Sequence, residues 1–212
     1  MALIHKNIDG IKDIQYKSLK RFFDDHYEYL DIIIPIITEN SQVSLRDLDF
    51  TVTIFSKKNP IWYYIYNNET ERKEKFVLSV SYDNELKGLK KKLFDTFRRS
   101  ERIFYTIDHP ERLEKTTREI IEERNNNKYS FETTVSQLTF FKWAIQNKVI
   151  EYIQNNIDII HQAHKEWNAK KNKSDKTGRK KLENINYKAL KTIPAEENHK
   201  IIISFKKYDH SL

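Results

Sequence analysis

Two clusters in this 212-residue chain combine residue types that do chemistry. The first is Asp83, Glu85 and Lys87 in "YDNELKGLK". Paired carboxylates hold a divalent cation and a nearby lysine stabilises charge developing on phosphate, which is the set a metal-dependent nuclease uses. An acid-x-Lys triplet is common where 33% of residues are charged. The pattern also puts this one at the end of a predicted strand, so a solvated turn is the simpler reading. The second cluster is Asp158, His161 and His164, spaced by three as on a helix. Adjacent members could share a metal, but successive steps of three drift around a helix. His164 also falls beside the apolar stripe of Ile157 and Ile160, as a packed or solvent-edge histidine would. With no cysteine, thiol nucleophiles, thiolate metal sites and disulfides are excluded. Gly10, Gly88 and Gly178 are isolated, which excludes a phosphate-binding or dinucleotide loop and a glycine-framed nucleophile serine. The sequence calls for no cofactor and no catalytic residue.

The stronger signal is charge clustering. The net charge is +7, yet residues 87–102 alone carry +5 and residues 165–181 carry +6, leaving −4 for the rest. The stretch "KKLFDTFRRSERIFY" (91–105) mixes five basic side chains with four aromatics. Lys87, Lys90, Lys91, Arg98, Arg99 and Arg102 are candidate phosphate contacts. Phe94, Phe97, Phe104 and Tyr105 serve as base-stacking platforms only if exposed. Helical spacing groups Phe97 with Leu86, Leu89 and Leu93 as core instead. Lys170, Lys171, Lys173, Arg179, Lys180 and Lys181 form a second candidate grip in "KKNKSDKTGRKK", which also resembles a nuclear-import address or a merely solvated loop.

These residues need elements to position them. Residues 16–34 have the three- and four-residue apolar steps of an amphipathic helix, which Pro35 ends or kinks. Ser44 and Asp47 form a capping-box pattern ahead of Leu45, Leu48, Val52 and Phe55, predicting a helix despite the β-branched run at residues 51–54. "IWYYIY" (61–66) and "KFVLSVSY" (75–82) predict a hairpin around a polar loop, "ELKGLKKKLFDTFRR" a helix, and "RIFYTI" a third strand. "HPERLEKTTREIIEER" predicts a charged helix opened by Pro110. From Thr134, the stripe Leu138, Phe141, Ile145, Val149, Ile153, Ile157 and Ile160 predicts one long helix, or two broken near "QNK" or "NNID". A helix-turn-helix reading of residues 134–152 is poor because the turn lacks its usual glycine. "HKIIISFKK" predicts a late strand at residues 201–205. The fold class expected is α+β: a small, mostly antiparallel sheet against several helices, with a long helix in the C-terminal half. Residues 1–165 would form one domain, 166–184 a basic flexible linker, and 185–212 a tail whose strand rejoins the sheet.

The longest apolar run, "IIIPII", is far short of the roughly 20 residues that span a bilayer. The first residues lack a signal-peptide core. A soluble intracellular protein without membrane partners is expected.

Three stretches, "LDIIIPIITENSQVSLRDLDFTVTIFSKK", "LKKKLFDTFRRSERI" and "ETTVSQLTFFKWAIQNKVIEYI", in this order resemble a family of small uncharacterised proteins of giant viruses, the mimivirus- and phycodnavirus-like nucleocytoplasmic large DNA viruses. The resemblance runs from about residue 30 to residue 153. It departs from the family's middle motif at Thr96 and Arg98, where a proline and a cysteine are usual. The resemblance implies that Phe94, Phe97, Arg99, Glu101, Arg102 and Ile103 form a motif in which Glu101 organises the arginines by charge pairing. It brings no catalytic residues. The expected function is non-enzymatic nucleic-acid binding, DNA or RNA, in late gene expression, genome handling or packaging. The expected location is the host cytoplasm at the virus factory, the virion, or the nucleus. The alternative is a virion structural or protein-interaction component, which exposed aromatics in "IWYYIY" or "FFKW" would favour.

Overall fold

The computed structural model describes residues 10–67, 71–125 and 129–178. By its contacts the chain divides into residues 1–167 and residues 168–212. The first unit is α+β: helices pack around one apolar core and carry two separate two-stranded antiparallel ladders.

Helices α1 (Gly10–Asp25) and α2 (Tyr27–Ile37) stand where a single helix was expected. His26 breaks the run in a non-helical conformation (φ −132°, ψ 73°). Phe22, His26 and Tyr29 stay neighbours across the break, with centroids 5.0–5.5 Å apart: Tyr29 stacks on both of the others, while Phe22 and His26 are tilted. Pro35 lies inside α2, two residues before its end. The helix stops when Thr38 returns both its N–H and its hydroxyl to the Ile34 carbonyl (2.9 and 2.7 Å), and Glu39 turns left-handed (φ 64°).

The capping box at Ser44 is present, and α3 (Leu45–Phe50) follows it. The β-branched run does not switch to a strand. It forms a π-helical turn, Thr51–Phe55, leading into the short α4 (Ser56–Lys58). Burial decides this, because Leu48, Val52 and Phe55 reach the core only at helical spacing.

Strands β1 (Trp62–Asn67) and β2 (Arg72–Val77) form the expected hairpin, with Trp62 opposite Val77 and Tyr66 opposite Lys73. β2 is shorter than the pattern implied. Leu78 opens α5 (Leu78–Leu93), since Leu78, Tyr82, Leu86 and Leu89 bury at helical steps and override the alternation in "VLSVSY". The helix ends four residues before Phe97. Phe94 turns inward in an extended conformation and packs on Tyr82, Phe140 and Trp143.

Strand β3 (Arg102–Thr106) is as expected. Pro110 opens only a single 3-10 turn, Pro110–Arg112, ahead of α6 (Lys115–Asn125). The partner of β3 is β4 (Ser130–Thr134), a five-residue strand the sequence pattern did not announce. Thr134 then caps α7 (Val135–Gln146) by accepting from the Gln137 N–H. The long apolar stripe is broken at both suspected places, giving α7, α8 (Val149–Asn155) and α9 (Ile157–Gly178). Lys148 supplies the left-handed position (φ 55°) that a glycine usually fills. α7 is buried around most of its circumference, with Phe140, Phe141 and Trp143 inside, so it is a core helix and no groove reader.

Helix α9 continues through residues 168–178, into the segment read as linker. The later part of that segment, residues 179–184, and the expected strand at 201–205 lie outside the described residues. Among the described residues no helix is long and apolar enough to cross a membrane.

Candidate nucleic-acid interface

The six candidate phosphate contacts within residues 87–102 do not line one helix face. Lys87 is exposed on α5, and Lys90 and Lys91 belong to the same helix. Because α5 stops at Leu93, the arginines sit on the following loop and on β3. There they meet carboxylates. Arg102 Nη1 donates to Glu132 Oε1 at 2.6 Å, and Arg98 lies 4.0 Å from the other oxygen of the same carboxylate while donating to the Glu132 carbonyl at 3.4 Å. Arg99 lies 3.7 Å from Asp95 and over the Phe97 ring at 4.7 Å. Glu101, expected to organise the arginines, lies 3.6 Å from Lys12 instead. Pairing falls to Asp95 and Glu132, the second of which stands across the ladder, opposite Phe104.

The four aromatics of the motif split. Phe94 and Tyr105 are wholly buried, and Tyr105 donates its hydroxyl to Asp24 at 2.7 Å. Burial, together with that carboxylate, pushes the Tyr105 phenol well above its ordinary value. Phe97 is half-buried outside any helix, and Phe104 is 63% exposed. The cavity beneath the motif, lined by Lys12, Ser100, Glu101 and Ser136 among others, measures about 10 Å³, room for about one water.

A better-exposed combination lies on the β1–β2 hairpin. Side chains alternate across a strand. Trp62, Tyr64 and Tyr66 therefore share one face with Lys73, Lys75 and Val77 opposite them. The three rings are 52–62% exposed, and Lys75 Nζ rests 4.5 Å from the Trp62 ring. None of those six positions holds an acid. The other face fixes the hairpin: Tyr63 stacks on Tyr152, Phe76 meets Trp143, and Tyr63 donates its hydroxyl to the Asn147 carbonyl at 2.6 Å. The sequence announced the strands but not which face would stay bare; the alternation of aromatics in "WYYIY" with lysines in "RKEKF" was the available signal.

The two catalytic or metal candidates are dispersed. Asp83, Glu85 and Lys87 sit inside α5, not at a strand end. Two residues apart on a helix is about 200° of rotation, so Asp83 and Glu85 face apart. Asp83 accepts instead from Lys57 Nζ at 2.9 Å. Asp158 is exposed, while His161 and His164 turn to Asp47, at 3.1 and 3.5 Å. His164 also stacks on Phe50 with centroids 4.5 Å apart. Asp47 is buried, and accepts from the Ser44 N–H and hydroxyl at 3.0 and 2.7 Å. Burial acts to raise its carboxyl, but the Ser44 bonds and His161 outweigh it and hold the group below the ordinary carboxylate value. This is a buried cap joining α3 to α9. Among the described residues no group of three acidic or histidine side chains could hold a metal.

Of the second basic cluster, Lys170 and Lys171 are exposed on α9 and Lys173 lies on the same helix. Arg179, Lys180 and Lys181 lie outside the described residues.

Residues 5–211 match a family of unknown function, DUF7197. Over 157 residues the chain is 34% identical to the uncharacterized protein L507 of Acanthamoeba polyphaga mimivirus, covering 74% of this chain and 54% of that protein. The chain thus spans about half the length of this giant-virus relative. No solved structure matches.

Proposed function

This chain belongs to the DUF7197 family, and on that premise we propose that it is a non-enzymatic nucleic-acid-binding protein of large DNA viruses, acting in late gene expression, genome handling or packaging. The observation that carries the reading is the hairpin face, where Lys73 and Lys75 stand among three exposed aromatic rings with no acid at any of the six positions. Cations that attract phosphate and rings that take bases are the two components of such a surface. Arg98, Arg99 and Arg102 contribute less than their number, since Asp95 and Glu132 already neutralise part of their charge. Lys87, Lys90 and Lys91 add long-range attraction, and the basic run from Lys170 to Lys181 is a second grip. An acidic groove at Glu28, Asp31 and Glu114 repels phosphate and limits binding to the basic surfaces. The virus factory, the virion and the nucleus are all locations where such a protein meets nucleic acid.

The test is binding to labelled single-stranded and duplex DNA and RNA across a salt series, beside Arg98/Arg99/Arg102→Ala and a deletion of residues 166–184. A steep salt dependence is expected, its log–log slope falling by about 0.9 on duplex DNA and about 0.7 on single strands for each phosphate contact removed. Absence of binding at low salt in every form overturns the reading.

A second reading has its own observation. Exposed Trp62, Tyr64 and Tyr66 are what a protein-contact surface would present, in keeping with a virion structural component.

A further inference from the structure

Resting on the nucleic-acid reading, we infer that the outer face of the β1–β2 hairpin is a stacking platform for single-stranded nucleic acid, with a footprint of three nucleotides along β1. Trp62, Tyr64 and Tyr66 are successive outward positions of one strand, so their Cα atoms step by roughly 6.6 Å. That is about twice the 3.4 Å separation of stacked bases. The Trp62 and Tyr64 rings meet edge to face, with centroids 6.1 Å apart and planes at 87°, so an unstacked strand laid along β1 covers their outward faces one base per ring, with no base slotted between them. A duplex offers no such fit, because its base faces are already covered by their neighbours.

The lysines choose between occupants. Protein-contact surfaces are depleted in lysine, above all at their centres, whereas here Lys75 stands directly across from Tyr64 and Lys73 directly across from Tyr66. Lys75 already lies over Trp62, 4.5 Å from the ring centre, and is placed to exchange that contact for a backbone phosphate as a base covers the indole. The platform is held before any ligand arrives. Tyr63 and Phe76 anchor its reverse face, and the Leu78 N–H donates to the Ile61 carbonyl at 3.1 Å where the hairpin joins α5. Nothing on this face reads base edges in a fixed pattern, so the preference is for strandedness and not for sequence.

The experiment measures fluorescence anisotropy of the full chain with labelled dT12, rU12 and a 12-base-pair duplex at fixed salt. Four proteins are compared: unaltered, Tyr64→Ala/Tyr66→Ala, Tyr64→Phe/Tyr66→Phe, and Arg98/Arg99/Arg102→Ala, each checked by circular dichroism for an unchanged melt. The alanine pair is expected to weaken single-strand binding at least about tenfold and leave duplex binding unchanged. The phenylalanine pair, which keeps the rings, stays within about twofold of the unaltered chain. If oligonucleotides bind but the alanine pair binds the single strands normally, the platform is overturned while the nucleic-acid reading stands. If the alanine pair instead changes only the sedimentation of the protein itself, the face is a protein contact and the inference falls. If the unaltered chain binds no oligonucleotide, both fall.

Discussion

Across β3–β4, Arg98 and Arg102 share the carboxylate of Glu132, Arg99 meets Asp95, and Tyr105 turns inward to Asp24. Across β1–β2, Lys73 and Lys75 look out among Trp62, Tyr64 and Tyr66, and no acid shares their face. Both ladders are short and antiparallel, and both bring basic side chains beside aromatic rings. In one, charge is neutralised locally and an aromatic ring is spent on the core. In the other, Phe76 also packs inward, but both lysines and the rings of Trp62, Tyr64 and Tyr66 are left facing solvent. Composition alone singles out the arginine-rich stretch, yet by partner placement its cations are the less available ones. A cation already paired with a carboxylate must give up that contact before it meets a phosphate.

The comparison can be broken first at its buried end. Tyr105→Ala removes a fully buried ring and is expected to destabilise the fold by about 4 kcal/mol, read from urea unfolding; a loss below about 1 kcal/mol would mean that β3 does not anchor its aromatic in the core. The extreme of local compensation is Asp47. Its carboxyl is held low in the fold, so its contribution is complete above the unfolded value of about 3.9 and fades as pH falls through the lower folded value. Asp47→Asn should cost about 2 kcal/mol at neutral pH, and the gap between variant and unaltered chain should narrow toward pH 3. A gap independent of pH would show that the lost packing, and not the charge, mattered. Glu132→Gln frees two guanidiniums. It should change stability by less than about 1 kcal/mol while steepening the salt dependence of oligonucleotide binding by roughly one to two units. An unaltered slope would confine binding to the other ladder. The smallest stability effect is expected for Tyr64→Ala, within about 0.5 kcal/mol, because its ring is 62% exposed.

Much of the fold was legible where a residue's own environment sufficed. The Ser44–Asp47 cap, the hairpin and β3 follow from turn chemistry and periodicity, and the C-terminal stripe broke at both of the places where a single break was offered. What failed needed distant partners. His26 splits a helix whose pattern is unbroken, and the chain just beyond it is tied to a distant segment, the Tyr27 hydroxyl accepting from the His109 N–H. β4 carries a single aromatic in five residues and exists as the partner of β3. The charges were visible, but their neutralisation was not: Glu132 is thirty residues from Arg102, and Asp47 is 114 residues from His161. For the same reason, two histidines spaced like metal ligands turned out to share a helix cap.

The π-helical turn at Thr51–Phe55 has a consequence for how this gene tolerates change. A π turn holds roughly one residue more than an α turn, and here the hydroxyls of Thr51, Thr53 and Ser56 each return to a carbonyl four residues back, bracing the widened stretch. Losing one codon within it would tighten the backbone to ordinary α-helix and leave Ser56, Lys57 and Lys58 in nearly the same orientation. Losing one codon in α2 or α7 would swing every later side chain of that helix by about 100°. The turn is therefore a place inside a helix where the length of this chain can drift by one residue while the core on either side stays in phase.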